Sequence, residues 1–263
     1  NFVGTQLFHK GEYEKALIFF EEELHLEESS ETQMKDAKVE SSVHVTCNNL
    51  GRILQELERY EEAIVYYRRA LESEPLACMT PCPENEKATL ASEAVDRNSS
   101  ATNLCSTVWY NLGLIYDKTG SNDKAIDAFK MSLILRKKLL GRNHPDIACL
   151  LYNIGVLQME EDHLDDASAS IHEALRIRRV TTAGQLNDRH VIKTLEKLSS
   201  RHKNKGNINK ALEAFEQILA VYDASFEYDS LTRVKEMGAT LRSISELHQT
   251  AGALDSAVRA STE

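Results

Sequence analysis

The chain has 263 residues, of which 42% are hydrophobic and 27% charged, with a formal net charge of −10. It can therefore bury a core and is not disordered throughout, and its acidic balance argues against nucleic acid as a partner. No apolar run approaches the roughly 18 residues that span a bilayer, and no basic-then-apolar segment at the N-terminus looks like a signal peptide, so a soluble, cytoplasmic protein without a membrane partner is expected.

Only four prolines and eleven glycines leave long stretches free to be helical. Five scattered cysteines, Cys47, Cys78, Cys82, Cys105 and Cys149, are odd in number and suit reduced thiols better than a disulfide framework. The chain starts at Asn1 rather than a methionine and stops soon after Ala257, so it reads as a piece of a longer protein.

Along the chain a short polar turn runs six times into an alanine: Ala16, Ala63, Ala125, Ala167, Ala211 and Ala257. Successive alanines are 47, 62, 42, 44 and 46 residues apart. A recurrence in that range signals stacked supersecondary units. Twelve residues before each alanine stands a small residue, Gly4, Gly51, Gly113, Gly155, Ser199 or Ser245. Glycine inside a helix costs about 1 kcal/mol relative to alanine, so its recurrence at one phase implies two helices crossing closely, with the alanine as the other half of the contact.

Large residues lie at helical spacing around that crossing: Phe20, Tyr67, Phe129, Ile171 and Phe215 four after the alanine, and Val3, Leu50, Leu112, Ile154, Leu198 and Ile244 one before the small position. Gly11, Gly120, Gly206 and Gly252 occupy the phase five residues before the alanine, where a left-handed helix end is expected. Each unit is thus a helical hairpin, and about six of them, the first and last incomplete, form one solenoid over residues 1–263.

These residues resemble the tetratricopeptide repeat. The third copy matches at Trp109, Leu112, Gly113, Tyr116, Gly120, Ala125 and Phe129, and the second at Leu50, Gly51, Tyr60, Ala63, Tyr67, Ala70 and Pro75. The resemblance covers nearly the whole chain and implies an all-α, right-handed superhelical solenoid of antiparallel helix pairs. Departures are Asn122, the serines at 199 and 245, and Ser261 where an aromatic is usual.

The tightest spacing, 42 residues, exceeds the usual 34, which calls for longer helices or connections. The stretch Leu139-Leu140-Gly141-Arg142-Asn143-His144-Pro145-Asp146 resembles the junction of kinesin-light-chain-type repeats, with Gly141 ending one helix and Pro145 opening the next. Between Ala63 and Ala125 the excess falls in 73–106 with three of the four prolines, which reads as an inserted flexible loop. Thr80-Pro81 and the serines at 99 and 100 could accept phosphate there, although an unregulated solvated loop is the simpler reading.

Stacked hairpins of this kind line a concave groove with their first helices. Asn49, Asn111 and Asn153 stand in phase in three consecutive copies. An asparagine amide both donates and accepts, so a ladder of them can hold the backbone of an extended peptide, as the family resemblance implies; alternatively they solvate the groove wall. In the fifth copy Lys197 takes that phase, with Lys193 one turn earlier and Arg201 one turn later. The three cations share one helix face and would select acidic side chains, unless they are simply a solvated face. Asn153, Lys193 and Lys197 match part of the carboxylate clamp of chaperone-binding members, but Tyr110 and Leu114 stand where its remaining lysine and asparagine belong, so a complete clamp is not expected. Residues 130–210 hold 15 Lys and Arg against 9 Asp and Glu, and the remainder 16 against 32, which favours an acidic ligand at the later segment.

No phosphate loop is evident, no histidine cluster has metal-ligand spacing, and Cys78 and Cys82 lack the second pair a zinc site needs. No catalytic residue, metal or cofactor is expected. The reading is an adaptor that binds an acidic protein segment; the alternatives are a self-assembling structural solenoid and a regulatory or recruiting domain of a larger enzyme.

Overall fold

The computed structural model describes residues 2–33, 42–72, 100–181, 188–224 and 230–262. Among them are eleven helices and no strand: α1 (Phe2–His9), α2 (Tyr13–Gln33), α3 (Val43–Glu56), α4 (Tyr60–Glu72), α5 (Ser100–Lys118), α6 (Asn122–Leu140), α7 (Pro145–Glu160), α8 (Leu164–Thr181), α9 (Asp188–Asn204), α10 (Ile208–Ala224) and α11 (Ser230–Thr262). The chain divides into two compact units, Asn1–Leu150 and Leu151–Glu263. The first ten helices pair into five hairpins.

Every hairpin closes by the same backbone device. Gly11, Gly120 and Gly206 adopt φ of 77°, 72° and 77°, and the same phase is left-handed at Glu58 (φ 57°) and Asp162 (φ 64°), where no glycine is present. One residue later an N–H reaches back to the carbonyl five residues before it: Glu12 to Leu7 (3.0 Å), Arg59 to Leu54 (2.8 Å), Ser121 to Tyr116 (2.8 Å), His163 to Gln158 (2.8 Å) and Asn207 to His202 (2.9 Å). This left-handed cap satisfies carbonyls that the helix end would otherwise orphan.

The small positions are close crossings, with the large residue nearest in unit 1 and the alanine's backbone carbonyl joining the contact at Gly155 and Ser199. A Cβ on Gly4 would meet Phe20 Cε2 at 2.6 Å, one on Gly51 would meet Tyr67 Cε1 at 2.7 Å, and one on Gly113 would meet Phe129 Cε1 at 2.5 Å. In unit 2 the partner of Gly155 is Ile171 Cγ1 at 2.7 Å. Helical side chains lean toward the N-terminus of their own helix, which brings the residue four after the alanine back over the crossing. Ser199 is tolerated because its hydroxyl donates to the Ala211 carbonyl at 3.2 Å. Phe20, Tyr67 and Phe129 are fully buried, each contributing about 1.5–3 kcal/mol.

Helices of 16 to 19 residues from α5 to α8 account for the long period. Gly141 (φ 83°) ends α6 and Pro145 opens α7, as that junction implies.

Two expectations are corrected. Residues 100–106, read as part of a loop, are the first turns of α5, because Thr102, Cys105 and Ser106 bury one helix face and the Ser106 carbonyl accepts from Ser132 Oγ at 2.7 Å. Residues 73–99, with Cys78, Cys82 and Thr80, lie outside the described residues. The sixth hairpin does not form: α11 runs unbroken through Gly252. The sequence explains this, since Ser261 stands where a hairpin would need a large apolar residue to seat on the small position at Ser245. Cys47 and Cys149 are free thiols.

Candidate functional site: the first-helix faces

In unit 1 a small open cleft of ≈ 30 Å³ lies between the first helices of two consecutive hairpins, lined by Thr5, Phe8 and His9 of α1, Phe20 of α2, and Asn49, Arg52 and Ile53 of α3. Phe20 and Ile53 form a buried apolar floor, and Asn49 is half-buried at the wall. The Arg52 guanidinium carbon lies 4.9 Å from the centre of the Phe8 ring, within cation–π range.

Asn111, on α5, is placed differently. It sits beside the Tyr67 hydroxyl, and its Nδ2 is buried with no acceptor in hydrogen-bonding geometry. The Tyr67 hydroxyl instead donates to Gln55 Oε1 at 3.3 Å, and burial pushes its pKa up. The amides of Asn49 and Asn111 thus do not form identical rungs: one faces a cleft, the other faces the core side of its helix. On the same helix Tyr110 lies 5.0 Å under the Arg136 guanidinium, which also pairs with Asp146 at 3.2 Å.

In unit 2, Asn153 is half-buried on α7. Lys193 and Lys197 project from one face of α9, exposed and without an ion pair, but Arg201 is half-buried and donates through Nη1 to the Met159 carbonyl in the last turn of α7. A cation on terminal helical carbonyls is favoured by the helix dipole, so Arg201 also serves the fold. Beside Lys193, Glu196 has its pKa raised by burial and by the neighbouring Glu236 of α11. Several other cations of the basic segment are paired: Lys205 with Asp162 at 2.6 Å, Lys210 with Asp165 at 2.5 Å, and Arg176 with Glu173 at 2.7 Å.

His202 is fully buried between α8 and α9, with Nε2 2.9 Å from Ser168 Oγ and Nδ1 without a partner. Ser168 also donates to the Leu164 carbonyl at 2.8 Å, and nothing holds the far side of the ring, so the pair has a packing geometry and not that of an activated nucleophile. Among the described residues no group of three or more His, Cys, Asp and Glu could hold a metal ion, and no helix is long and apolar enough to cross a membrane.

Sequence reasoning missed Arg52 and Phe8. The signal was available in the phase one residue after the small position, where Thr5 and Arg52 both line the cleft.

The tetratricopeptide repeat family is matched at residues 104–179, and a second model of the same repeat at 44–75. No curated protein matches the chain in sequence. Among solved structures, BtubC (BKLC) from P. vanneervenii is 18% identical with a TM-score of 0.57, over 86% of this chain and 79% of its own. A protein described as a kinesin light chain with nearly identical TPR-like repeats, from Podosopora anserina, is 13% identical with a TM-score of 0.55, over 86% and 94%. YrrB, a TPR protein with an unusual peptide-binding site, is 16% identical with a TM-score of 0.52, over 89% and 87%. With five closed hairpins, the glycine-on-aromatic crossings and these matches, the chain carries tetratricopeptide repeats and has the all-α solenoid fold of such proteins.

Proposed function

We propose that the chain is an adaptor, a protein–protein interaction scaffold whose first-helix faces hold an extended or short helical segment of another protein. The observation that carries this reading is the open cleft between α1 and α3, where the Asn49 amide stands beside an apolar floor. An amide that can both donate and accept suits the backbone of a peptide of any sequence. Asn153 extends the same role in its own hairpin, while Asn111 contributes less because its amide is turned toward Tyr67; Lys193 and Lys197, exposed on one face of α9, select acidic side chains, with Arg201 a weaker contributor because it is engaged on Met159.

A protein partner is favoured over nucleic acid or a membrane surface, since the chain as a whole carries a net charge of −10 and Arg176, Lys205 and Lys210 of its basic segment are paired with local carboxylates. The reading is non-enzymatic and cytoplasmic. The 42-residue spacing and the Gly141–Pro145 junction support a kinesin-light-chain-like type, for which the partner would be a cargo adaptor with an acidic motif.

An array of capped acidic and neutral peptides probed with wild type, Asn49→Ala and Lys193→Glu/Lys197→Glu tests this. Wild type retains peptides of both kinds; Asn49→Ala weakens both by up to about tenfold, the loss of one or two hydrogen bonds. The double lysine variant loses acidic peptides selectively. Failure of folded wild type to retain any peptide overturns the adaptor reading.

A further inference from the structure

The α1/α3 cleft carries a specificity of its own. In a chain with 41 acidic and 31 basic residues, arginines readily find carboxylates. Within unit 1, Arg59 pairs with Glu62 at 2.6 Å, Arg69 with Glu28, and Arg136 with Asp146 at 3.2 Å. Arg52 does not: it is exposed, makes no ion pair among the described residues, and is held instead against the Phe8 ring. Stacking on an aromatic face fixes the guanidinium plane and leaves its edge N–H groups open to a planar acceptor. Asn49, three residues earlier on the same helix face, lines the same cleft, and so does Thr5.

The floor of Phe20 and Ile53 is apolar, which suits methylene groups and strengthens a charge contact made above it. The space is small, ≈ 30 Å³, far below the usual small-molecule pocket, and suits the polar end of one side chain of a longer segment lying across it. We propose that this cleft receives the side chain of an Asp or Glu from an extended peptide, with the Arg52 guanidinium as the forked donor, the Asn49 amide as a second donor and Phe8 as the positioning group. The inference rests on the adaptor reading and adds a carboxylate selector in the acidic unit, away from the Lys193 stripe.

The test uses two capped probes, acetyl-Ala-Leu-Glu-Leu-Ala-amide and its Gln counterpart, titrated while the Arg52 Nε–Hε NMR signal is followed, that signal being assigned by its loss in Arg52→Gln. The Glu peptide shifts the signal and saturates at a concentration about tenfold lower than the Gln peptide, the difference a charge-assisted fork makes. Arg52→Gln erases that preference, Arg52→Lys retains part of it, and Phe8→Leu reduces it by freeing the guanidinium. Equal titration by both peptides, or a Glu preference that survives Arg52→Gln, overturns the proposal while leaving the adaptor reading intact if the array retains peptides. An array on which folded wild type retains nothing overturns both.

Discussion

The two units close their hairpins with the same left-handed turn but lock them differently. In unit 1 each crossing seats an aromatic ring on a glycine: Phe20 on Gly4, Tyr67 on Gly51 and Phe129 on Gly113. Unit 2 begins with the branched Ile171 on Gly155, continues with Ser199 at the glycine phase and a half-buried Phe215, and then abandons the hairpin in the unbroken α11. The turn therefore decides where the chain reverses only when a large residue is available to fill the crossing. Gly252 has the turn residue without the ring, and the helix continues through it.

That contrast can be broken by substitution. Phe129→Ala costs about 3–5 kcal/mol in urea unfolding, because a fully buried ring leaves a cavity. Phe215→Ala, half-buried, costs about 1–2 kcal/mol. Equal losses would mean that the two units are locked alike. Gly113→Ala forces a Cβ onto the Phe129 ring and costs about 1–3 kcal/mol despite the better helix propensity of alanine. Gly155→Ala is destabilising as well, since its Cβ would meet Ile171 Cγ1 at 2.7 Å and the Ala167 carbonyl oxygen at 3.3 Å.

The pH response of one buried residue sharpens the comparison in unit 2. Burial holds the His202 imidazolium below its ordinary pKa of 6.5; Asp165 opposes this, while Lys210 and Lys205 add to it. The unfolded chain then takes up the proton more readily than the folded one. Stability is full above about pH 6.5 and falls as the pH drops toward the lower folded value, by at most about 1.4 kcal/mol per pH unit. His202→Phe flattens that slope in a stability-versus-pH series; an unchanged slope would remove His202 from the account. The smallest effect is at Asp162: glycine relieves the left-handed residue but gives up the Lys205 ion pair, so Asp162→Gly changes the stability of unit 2 by less than about 1 kcal/mol.

The hairpin phases were legible in the sequence because they repeat. The glycine phase marked the turns at Gly11, Gly120 and Gly206, and the same phase turns at Glu58 and Asp162 without a glycine, whereas at Gly252 it marked a turn that the helix does not make. The identity of the crossing partner was not legible, since the alanine is the more regular residue and only side-chain direction shows that Phe129, and not Ala125, covers Gly113. The start of α5 was hidden because polar Thr102 and Ser106 bury themselves through the fold's own contacts.

At the candidate site, the asparagine phase was readable, but the difference between Asn49 in an open cleft and Asn111 turned toward Tyr67 depends on neighbours from other helices. Arg52 on Phe8 joins two residues that are not in phase with each other, so no repeat pattern announces it. Net charge likewise suggested a basic ligand surface at 130–210 without showing how many of its cations are already paired.

The most direct test of the central claim is photo-crosslinking of a peptide selected on the array, with the adducts located by mass spectrometry. Adducts on the first helices, at the residues around Asn49 and Arg52 for a ligand of unit 1, are the predicted result. Adducts confined to the second helices, as at exposed Ile18 of α2 or Val65 of α4, would contradict it.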